Sequence, residues 1–210
     1  MEIKTRKELK FYILADRLLN RKSIKRSFAN RVKDFFIPDY IMSFLVCMRR
    51  TSYYKYKVDG GGKFYLLPYL YNYRKYRLLG TKLGFSIGYN CFGYGLVLPH
   101  YGTIVVGDSN RIGKYAVLHT SSCITDTAKS IGCGLYLSTG SIVTGAQEIG
   151  DYVTVGANSL VNKNYPGSNF LLVGTPAEKK KEASAWYHGD SRREAVEYLE
   201  NIKSEYGIDY

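Results

Sequence analysis

Apolar residues recur at every sixth position through the second half of the chain, a spacing that belongs to neither a regular helix nor a regular strand. An α-helix repeats at about 3.6 residues and a strand at about 2, so a period of six indicates short strands joined by tight corners. The repeat holds without interruption at Ile131, Leu137, Val143, Ile149, Val155 and Val161. This pattern predicts a left-handed parallel β-helix.

The same phase can be followed upstream with two interruptions. It passes through Phe92, Leu98 and Ile104, shifts by two residues, and continues through Val106, Ile112, Leu118 and Ile124. A further slip of one residue before Ile131 indicates a small insertion in one coil. Glycine often follows the repeat position, as at Gly113, Gly132 and Gly150, where a corner leaves no room for a large side chain. The alternative, a β-sandwich with chance glycines, would alternate by two and lose this phase.

Length and composition are those of a folded, soluble protein. The 210 residues allow one or two domains, and 45% of them are hydrophobic. The longest apolar stretch, residues 40–48, is about half of what a membrane-spanning helix needs, so no such helix is expected. The first ten residues are charged and lack the apolar core of a secretory signal peptide, which predicts a cytoplasmic location.

The cysteines and histidines do not indicate a metal site. The four cysteines show no C-x-x-C spacing, so neither a disulfide framework nor a cysteine metal site is expected. The three histidines come without clustered carboxylates, which leaves a bound zinc ion without a full set of ligands.

Positive charge is concentrated in the first 83 residues, which hold 20 Lys and Arg against six Asp and Glu. Residues 84–210 hold ten against twelve. Helical spacing in the basic part predicts three helices, over about 5–19, 41–53 and 66–79. One face of the third, Tyr-rich helix carries Leu66, Tyr69, Leu70, Tyr73 and Arg77. Gly80 is its expected stop.

The chain therefore divides into a basic, Tyr-rich helical region at 1–83, a β-helix at 84–177 and a C-terminal tail at 178–210. The tail is expected to form a helix over about 191–206, with Ala195, Tyr198, Leu199 and Ile202 on one face. The basic region has two interpretations. We favour a solvated cap that packs its aromatic face on the β-helix, and a weak contact with an anionic membrane surface is the alternative. No nucleic-acid partner is expected.

Four short stretches carry a resemblance to a known family. They are PHYGTIVVG at 99–107, LHTSSCI at 118–124, VGANSLVNK at 155–163 and VGTPAEK at 173–179. They resemble the hexapeptide-repeat acyltransferases, and within these the serine acetyltransferase-like branch associated with surface-polysaccharide synthesis. The resemblance is strong over residues 84–177 and weaker over the basic front end. It implies an acetyl-CoA-dependent O-acetyltransferase that works as a homotrimer on a small-molecule hydroxyl acceptor.

The resemblance implies that His100 is the general base. His100 follows the inward Leu98 by two positions, so its ring does not share that inward direction. A neutral imidazole can take the proton of a hydroxyl as that hydroxyl attacks the thioester of acetyl-CoA directly. No G-x-S-x-G motif supplies a nucleophile for a covalent acyl-enzyme. His119, which follows 19 residues later, is expected to orient the substrate or to lie at a subunit interface, with a structural role as the alternative.

The resemblance also implies which residues contact acetyl-CoA. Small or polar corner residues would face its pantetheine arm, and lysines would meet its phosphates. The expected contacts are Thr139, Gly140, Gly145, Ala157, Asn158, Lys163 and Lys179, with Lys180 and Lys181 beside the last.

Two departures from the family pattern concern the acceptor. Serine acetyltransferases of cysteine biosynthesis carry D-I-H-P one coil before the base and D-H at the base, whereas this chain has Ser86-Ile87-Gly88-Tyr89 and Pro99-His100. Both carboxylates are missing, so a backbone carbonyl, Ser86 or a group from another subunit is expected to orient His100. Only TDTAKS, residues 125–130, stands where the family has a longer glycine-rich loop. The expected acceptor is L-serine or a sugar hydroxyl, and a catalytically silent binding scaffold is the alternative function.

Overall fold

The computed structural model describes residues 2–21 and 36–208 of the chain. These residues include four α-helices: α1 (Arg6–Leu19), α2 (Tyr40–Asp59), α3 (Leu66–Leu83) and α4 (Arg193–Ile202). They also include the strands β1 (Phe85–Ile87), β2 (Ile104–Val106), β3 (Arg111–Ile112), β4 (Val117–Leu118), β5 (Ser122–Ile124), β6 (Ser130–Ile131), β7 (Tyr136–Leu137), β8 (Ile142–Val143), β9 (Glu148–Ile149), β10 (Thr154–Val155), β11 (Leu160–Val161), β12 (Phe170–Gly174) and β13 (Ala177–Glu182).

The strands stack into three sheets whose neighbours pair in parallel. Sheet A has the order β1-β2-β5-β8-β11, sheet B the order β3-β6-β9, and sheet C the order β4-β7-β10-β12, with β13 added antiparallel at the end. From β2 to β11, successive strands of the chain belong to A, B and C in turn, so three strands complete one coil. About five coils follow one another. This is the parallel β-solenoid that a period of six predicts.

The repeat positions form the core of the solenoid. Every residue that the six-residue phase marks, from Phe92 to Val161, is at most 3% exposed. In sheet A, one column of aligned side chains consists of Ile87, Val106, Ile124, Val143 and Val161. Each buried aliphatic side chain stabilises the fold by about 1.5 to 3 kcal/mol. The stacked columns are therefore a major source of stability for the coils.

The two-residue shift lies at a different place from the one the sequence indicated. Ile104 pairs with Phe85 and Ser122, whereas Val106 pairs with Ile124. Val106 is therefore the repeat position, and Ile104 is a second inward residue of the same strand. The extra residues come before β2, in the corner that joins sheet C to sheet A.

The third helix is longer than expected. It continues through Gly80 and ends at Gly84, whose φ of 80° is a left-handed conformation that glycine adopts readily. Gly80 lies inside the helix. A larger residue is disfavoured there because the carbonyl oxygen of Phe85 comes within 2.8 Å of where a Cβ would stand. Glycine at position 80 thus permits close packing and does not stop the helix.

The buried face of α3 also differs from the expected one. It carries Asn72, Tyr76, Gly80 and Leu83, while the face of Leu66, Tyr69, Leu70, Tyr73 and Arg77 stays exposed or half-buried. Tyr76 decides the orientation, because its hydroxyl donates a hydrogen bond to the carbonyl oxygen of Ile87 and its ring packs on Phe44 of α2. The helix therefore covers the end of the solenoid with the side that carries Tyr76.

A buried ion pair joins the helical region to the first coil. Arg49 of α2 donates to both carboxylate oxygens of Asp16 of α1, at 2.8 and 3.0 Å, and the two side chains are 1% and 0% exposed. Arg49 also donates to the carbonyl oxygens of Phe92 and Gly93, at 2.8 and 2.7 Å. The pair thus fixes both helices against the chain that leads into the first corner of the solenoid.

The C-terminal helix packs on the solenoid through Val196 and Leu199, whereas Tyr198, expected on the packed face, is exposed. Glu200 anchors it, because its carboxylate accepts hydrogen bonds from the hydroxyl of Tyr115 and from Lys114 Nζ, at 2.5 and 2.8 Å. Among the residues described, no helix combines the length and the hydropathy that crossing a bilayer requires.

Candidate active site

The corner between sheets C and A carries two extra residues on the first coil. Val97 pairs with Val117, and Ile104 pairs with Ser122. Seven positions lead from Val97 to Ile104, whereas five lead from Val117 to Ser122. The surplus is accommodated by an outward loop at residues 99–103.

His100 lies on this outward loop and is exposed, as is its neighbour Tyr101, which is 75% exposed. Gly102 returns the chain to the coil with a φ of 137°, and its N–H donates to the carbonyl oxygen of Leu83 at 2.8 Å. A Cβ at Gly102 would lie 3.1 Å from the side chain of Thr120 on the next coil. The two-residue insertion therefore places the imidazole of His100 outside the regular surface of the coil.

His119 lies at the same corner, one coil further along. Its ring centroid is 6.5 Å from that of His100, and its Nε2 shares a 2.8 Å hydrogen bond with the hydroxyl of Tyr136. Burial lowers the pKa of His119 from its ordinary value of 6.5, and the charges of His100 and Arg192 lower it further. His119 is therefore a neutral, oriented ring at neutral pH. Neither Tyr136 nor Arg192 could be recognised from the sequence as a neighbour of His119. Tyr136 lies on the next coil and Arg192 in the C-terminal tail, and no sequence motif links either to this histidine.

Ser86 lies in the middle of β1, paired with Val105 of β2. It is exposed on the outer side of β1, where it lines a cavity of about 260 Å³ together with Arg77 and Thr81 of α3. Within residues 2–21 and 36–208, no hydrogen bond connects Ser86 to the ring of His100. The orienting role of Ser86 stays a prediction.

We call the corner between sheets C and A, which carries His100 and His119, the histidine corner. Four of the residues expected to contact acetyl-CoA lie at the same corner of later coils. Thr139 and Gly140 lie between β7 and β8, and Ala157 and Asn158 lie between β10 and β11. The N–H of Asn158 donates to the carbonyl oxygen of Thr139 at 3.0 Å. Gly140 has a φ of 73°, a left-handed conformation that glycine adopts readily, and a Cβ there would lie 2.2 Å from Asn158 Oδ1 on the next coil. We call Thr139, Gly140, Ala157 and Asn158 the corner edge.

The other three expected contacts lie off this edge. Gly145 and Lys163 belong to the corner between sheets A and B, and Lys163 Nζ lies 5.7 Å from the ring centroid of Tyr165. Lys179, in β13, forms an ion pair with Glu182 at 2.5 Å. Whether these lysines meet a phosphate stays a prediction.

The outer face of sheet A lies between the two corners and is mostly apolar. The outward side chains aligned with Ser86 are Val105, Cys123, Ile142 and Leu160. Val105 and Ile142 are among the large apolar side chains that remain exposed. An apolar surface thus adjoins the histidine corner.

The histidine corner combines three chemical capacities. The exposed imidazole of His100 can accept a proton from a hydroxyl. The neutral ring of His119 can form a hydrogen bond to a polar group beside it. The corner edge offers small side chains and backbone that are exposed or half-buried, so a ligand can reach them. In the described part of the chain, no group of three or more His, Cys, Asp or Glu is placed to hold a metal ion.

Comparison with known proteins gives one relative in sequence. No protein-family model matches the chain. The serine acetyltransferase of Buchnera aphidicola subsp. Acyrthosiphon pisum (strain APS) is 29% identical over 126 residues, which cover 55% of this chain and 45% of that protein. The chain thus spans less than half the length of this curated relative.

Solved serine acetyltransferases share the fold over most of the chain. A serine acetyltransferase in complex with CoA superposes with a TM-score of 0.58 at 20% identity, covering 83% of this chain and 71% of that one. The enzyme of Neisseria gonorrhoeae gives 0.57 at 18% identity, covering 90% and 72%. That of Brucella abortus strain S19 gives 0.55 at 16% identity, covering 84% and 69%.

These neighbours are left-handed β-helix proteins, which confirms the fold class predicted from the period of six. At such identities the superpositions establish the fold alone. The chain is therefore similar in sequence to a serine acetyltransferase over 126 residues and has the left-handed β-helix fold of the solved serine acetyltransferases.

Proposed function

We propose that this protein is an acetyl-CoA-dependent O-acetyltransferase in which His100 is the general base. The observation that carries the proposal is the position of His100, on an outward loop beside His119 and on the same side of the solenoid as the corner edge. The sequence relative is a serine acetyltransferase, and one solved structure with this fold is a complex with CoA. Both support acetyl-CoA as the acetyl donor.

The proposed reaction needs one proton acceptor and no covalent acyl-enzyme. The unprotonated ring nitrogen of His100 accepts the proton of the acceptor hydroxyl while the hydroxyl oxygen bonds to the acetyl carbonyl carbon. The carbon–sulfur bond then breaks, and His100 returns the proton to the departing sulfur. The products are an acetyl ester and free CoA thiol. His119, whose Nε2 is held by Tyr136, uses its other ring nitrogen, Nδ1, to orient the acceptor.

The proposed acceptor is a sugar hydroxyl, with L-serine as the second candidate. Ser86 replaces a carboxylate, and the loop at 125–130 offers a single cation, Lys129. Lys129 is 1% exposed, and its Nζ donates to the carbonyl and the hydroxyl oxygen of Thr125, at 3.2 and 3.1 Å. It is therefore not placed to pair with the carboxylate of an amino acid. L-serine remains a candidate because a structure of the Neisseria gonorrhoeae enzyme, with a TM-score of 0.51, is a complex with serine.

The proposed enzyme is a homotrimer. The apolar outer row of sheet A, with Val105 and Ile142 exposed, supports an assembly in which a neighbouring copy covers it. That row adjoins the histidine corner, so the neighbour would also border the site. One chain alone would then show an incomplete active site, which agrees with the lack of an acidic partner for His100 among the residues described.

Acceptor-dependent release of thiol from acetyl-CoA tests the proposed function. The full chain is offered L-serine and a set of free and nucleotide-linked sugars in parallel assays. Release that requires one class of sugar supports acetyl transfer and the choice of acceptor, and efficient turnover of L-serine with no response to any sugar would overturn that choice. Silence with every acceptor, together with CoA binding measured by calorimetry, would favour the catalytically silent scaffold.

A further inference from the structure

The side of α3 that faces away from the solenoid is exposed and apolar. Leu67, Tyr71 and Leu78 occupy positions i, i+4 and i+11, which share one helix face, and are 78%, 63% and 56% exposed. Phe64, in the 3-10 turn that precedes the helix, is 97% exposed. We call these four residues the outer strip.

Packing among residues 2–21 and 36–208 does not account for the outer strip. The buried face of α3, with Asn72, Tyr76, Gly80 and Leu83, lies on the opposite side of the helix. Single exposed apolar residues are common on proteins, but several on one face of a helix indicate an interaction surface. The outer strip therefore calls for a partner outside the described chain.

Cations flank the outer strip, and no acid accompanies them. Arg74 lies in the row of the strip, between Tyr71 and Leu78, and Lys75 lies beside it on the helix surface. Lys82 follows two turns after Lys75, with its Nζ 3.6 Å from the ring centroid of Tyr40. Residues 66–83 contain no Asp or Glu. Among the residues described, neither Arg74 nor Lys75 takes part in an ion pair. The positive charge of this face is therefore available to an anionic partner.

We propose that the outer strip binds an anionic lipid surface, with α3 lying in the plane of the interface. Leucine and aromatic side chains flanked by Lys and Arg are typical of interfacial helices, whose apolar face enters the boundary between headgroups and acyl chains. The flanking cations contact the lipid phosphates. The exposed strip is the reason for proposing this alternative beside the solvated cap that the sequence favoured.

Other occupants fit the outer strip less well. A second copy of the same face would bring like charges together, since the first 83 residues hold 20 cationic and six acidic side chains. A nucleic acid would engage the cations through its phosphates and leave Leu67 and Leu78 exposed to water. A lipid interface offers apolar and anionic groups at the same boundary.

Vesicle flotation of the full chain tests this proposal. One vesicle population contains phosphatidylcholine and phosphatidylglycerol, and the other contains phosphatidylcholine alone. We expect the protein to float with the anionic vesicles only, and less at high salt, where the charges are screened. The readout does not depend on acetyl transfer, so its failure and the failure of the proposed function are separate results.

Two pairs of substitutions, each with a matched control, identify the surface. Leu67→Ser with Leu78→Ser should weaken partitioning by about tenfold or more, because both side chains lose their apolar contact. Tyr198→Ser, at an exposed aromatic of α4, should leave it unchanged. Arg74→Gln with Lys75→Gln should weaken it by about 30-fold. Lys180→Gln with Lys181→Gln removes the same charge from exposed positions of β13 and should have little effect.

Three outcomes would overturn the proposal. The first is that no protein floats with the anionic vesicles at low salt. The second is binding that resists Leu67→Ser with Leu78→Ser while circular dichroism shows a folded variant, since charge alone would then explain it. The third is that the parent protein binds no vesicles and the variant with Leu67→Ser and Leu78→Ser sediments at a lower mass than the parent. That result would identify the outer strip as a contact between copies.

Discussion

The Nε2 atom of His119 and the hydroxyl of Tyr136 lie 2.8 Å apart and join two successive coils at the histidine corner. The bond holds a half-buried imidazole in one orientation beside the exposed ring of His100. Burial is the largest cause that lowers the pKa of His119, followed by the charges of His100 and Arg192. Protonation of His119 should therefore change the free energy of unfolding.

We expect protonation of His119 to destabilise the fold as the pH falls. Its pKa in the folded protein lies below the ordinary 6.5, so the unfolded chain binds the proton first. Stability is then full above 6.5 and declines as the pH falls from 6.5 through the folded-state pKa. His119→Gln should flatten this part of the curve of urea midpoint against pH, whereas the exposed His188→Gln should not. A slope that persists in His119→Gln would assign the effect to another group.

We expect Asp16→Ala to cost about 3 to 5 kcal/mol of unfolding free energy, because it leaves the buried guanidinium of Arg49 without its carboxylate partner. Lys55→Ala, which removes an exposed ion pair with Asp59, should cost less than about 1 kcal/mol. Urea denaturation of both variants gives the comparison. If the two losses were equal, the ion pair would not be what joins the helices to the first coil.

We expect Ala157→Trp to raise the KM for acetyl-CoA by about tenfold or more, because the indole would occupy the exposed corner edge. Its unfolding free energy should change by no more than about 0.5 kcal/mol, as at other exposed sites. Glu148→Trp, at an exposed position of sheet B, should leave KM unchanged. An unaltered KM in Ala157→Trp would indicate that acetyl-CoA binds at another surface, such as the corner of Gly145 and Lys163.

We expect Ile142→Lys to dissociate the proposed trimer, because it places a charge in the apolar outer row of sheet A. Val173→Lys changes a similarly exposed side chain in sheet C and should leave the assembly intact. Sedimentation equilibrium reports the mass of each. A parent protein that sediments as a monomer, or an Ile142→Lys variant that keeps the parent's mass, would contradict the proposed assembly.

The solenoid could be predicted from the sequence because burial imposes its period directly. Each inward Val, Leu or Ile occupies one side of a coil, and the coils repeat at fixed intervals. The site of the two-residue insertion was missed because Ile104 and Val106 both point inward from β2. Register between coils decides which of them is the repeat position, and register is not visible in one sequence.

The packing of α3 could not be predicted for a related reason. Tyr69, Tyr73 and Tyr76 lie close together around the helix, and the carbonyl oxygen of Ile87, which accepts from Tyr76, selects the buried side. The candidate site was predicted in part. The resemblance pointed to His100 and the corner edge, whereas Tyr136 meets His119 only through the stacking of coils.

Thiol release by His100→Ala tests the central claim most directly. With the acceptor that supports turnover in the parent, we expect kcat to fall by about 100-fold to 10,000-fold, the usual contribution of a general base. Binding of CoA should persist in calorimetry, and His188→Ala, an exposed histidine outside the corner, should retain parental activity. If His100→Ala kept a kcat close to that of the parent, His100 would not be the base and the proposed mechanism would be wrong.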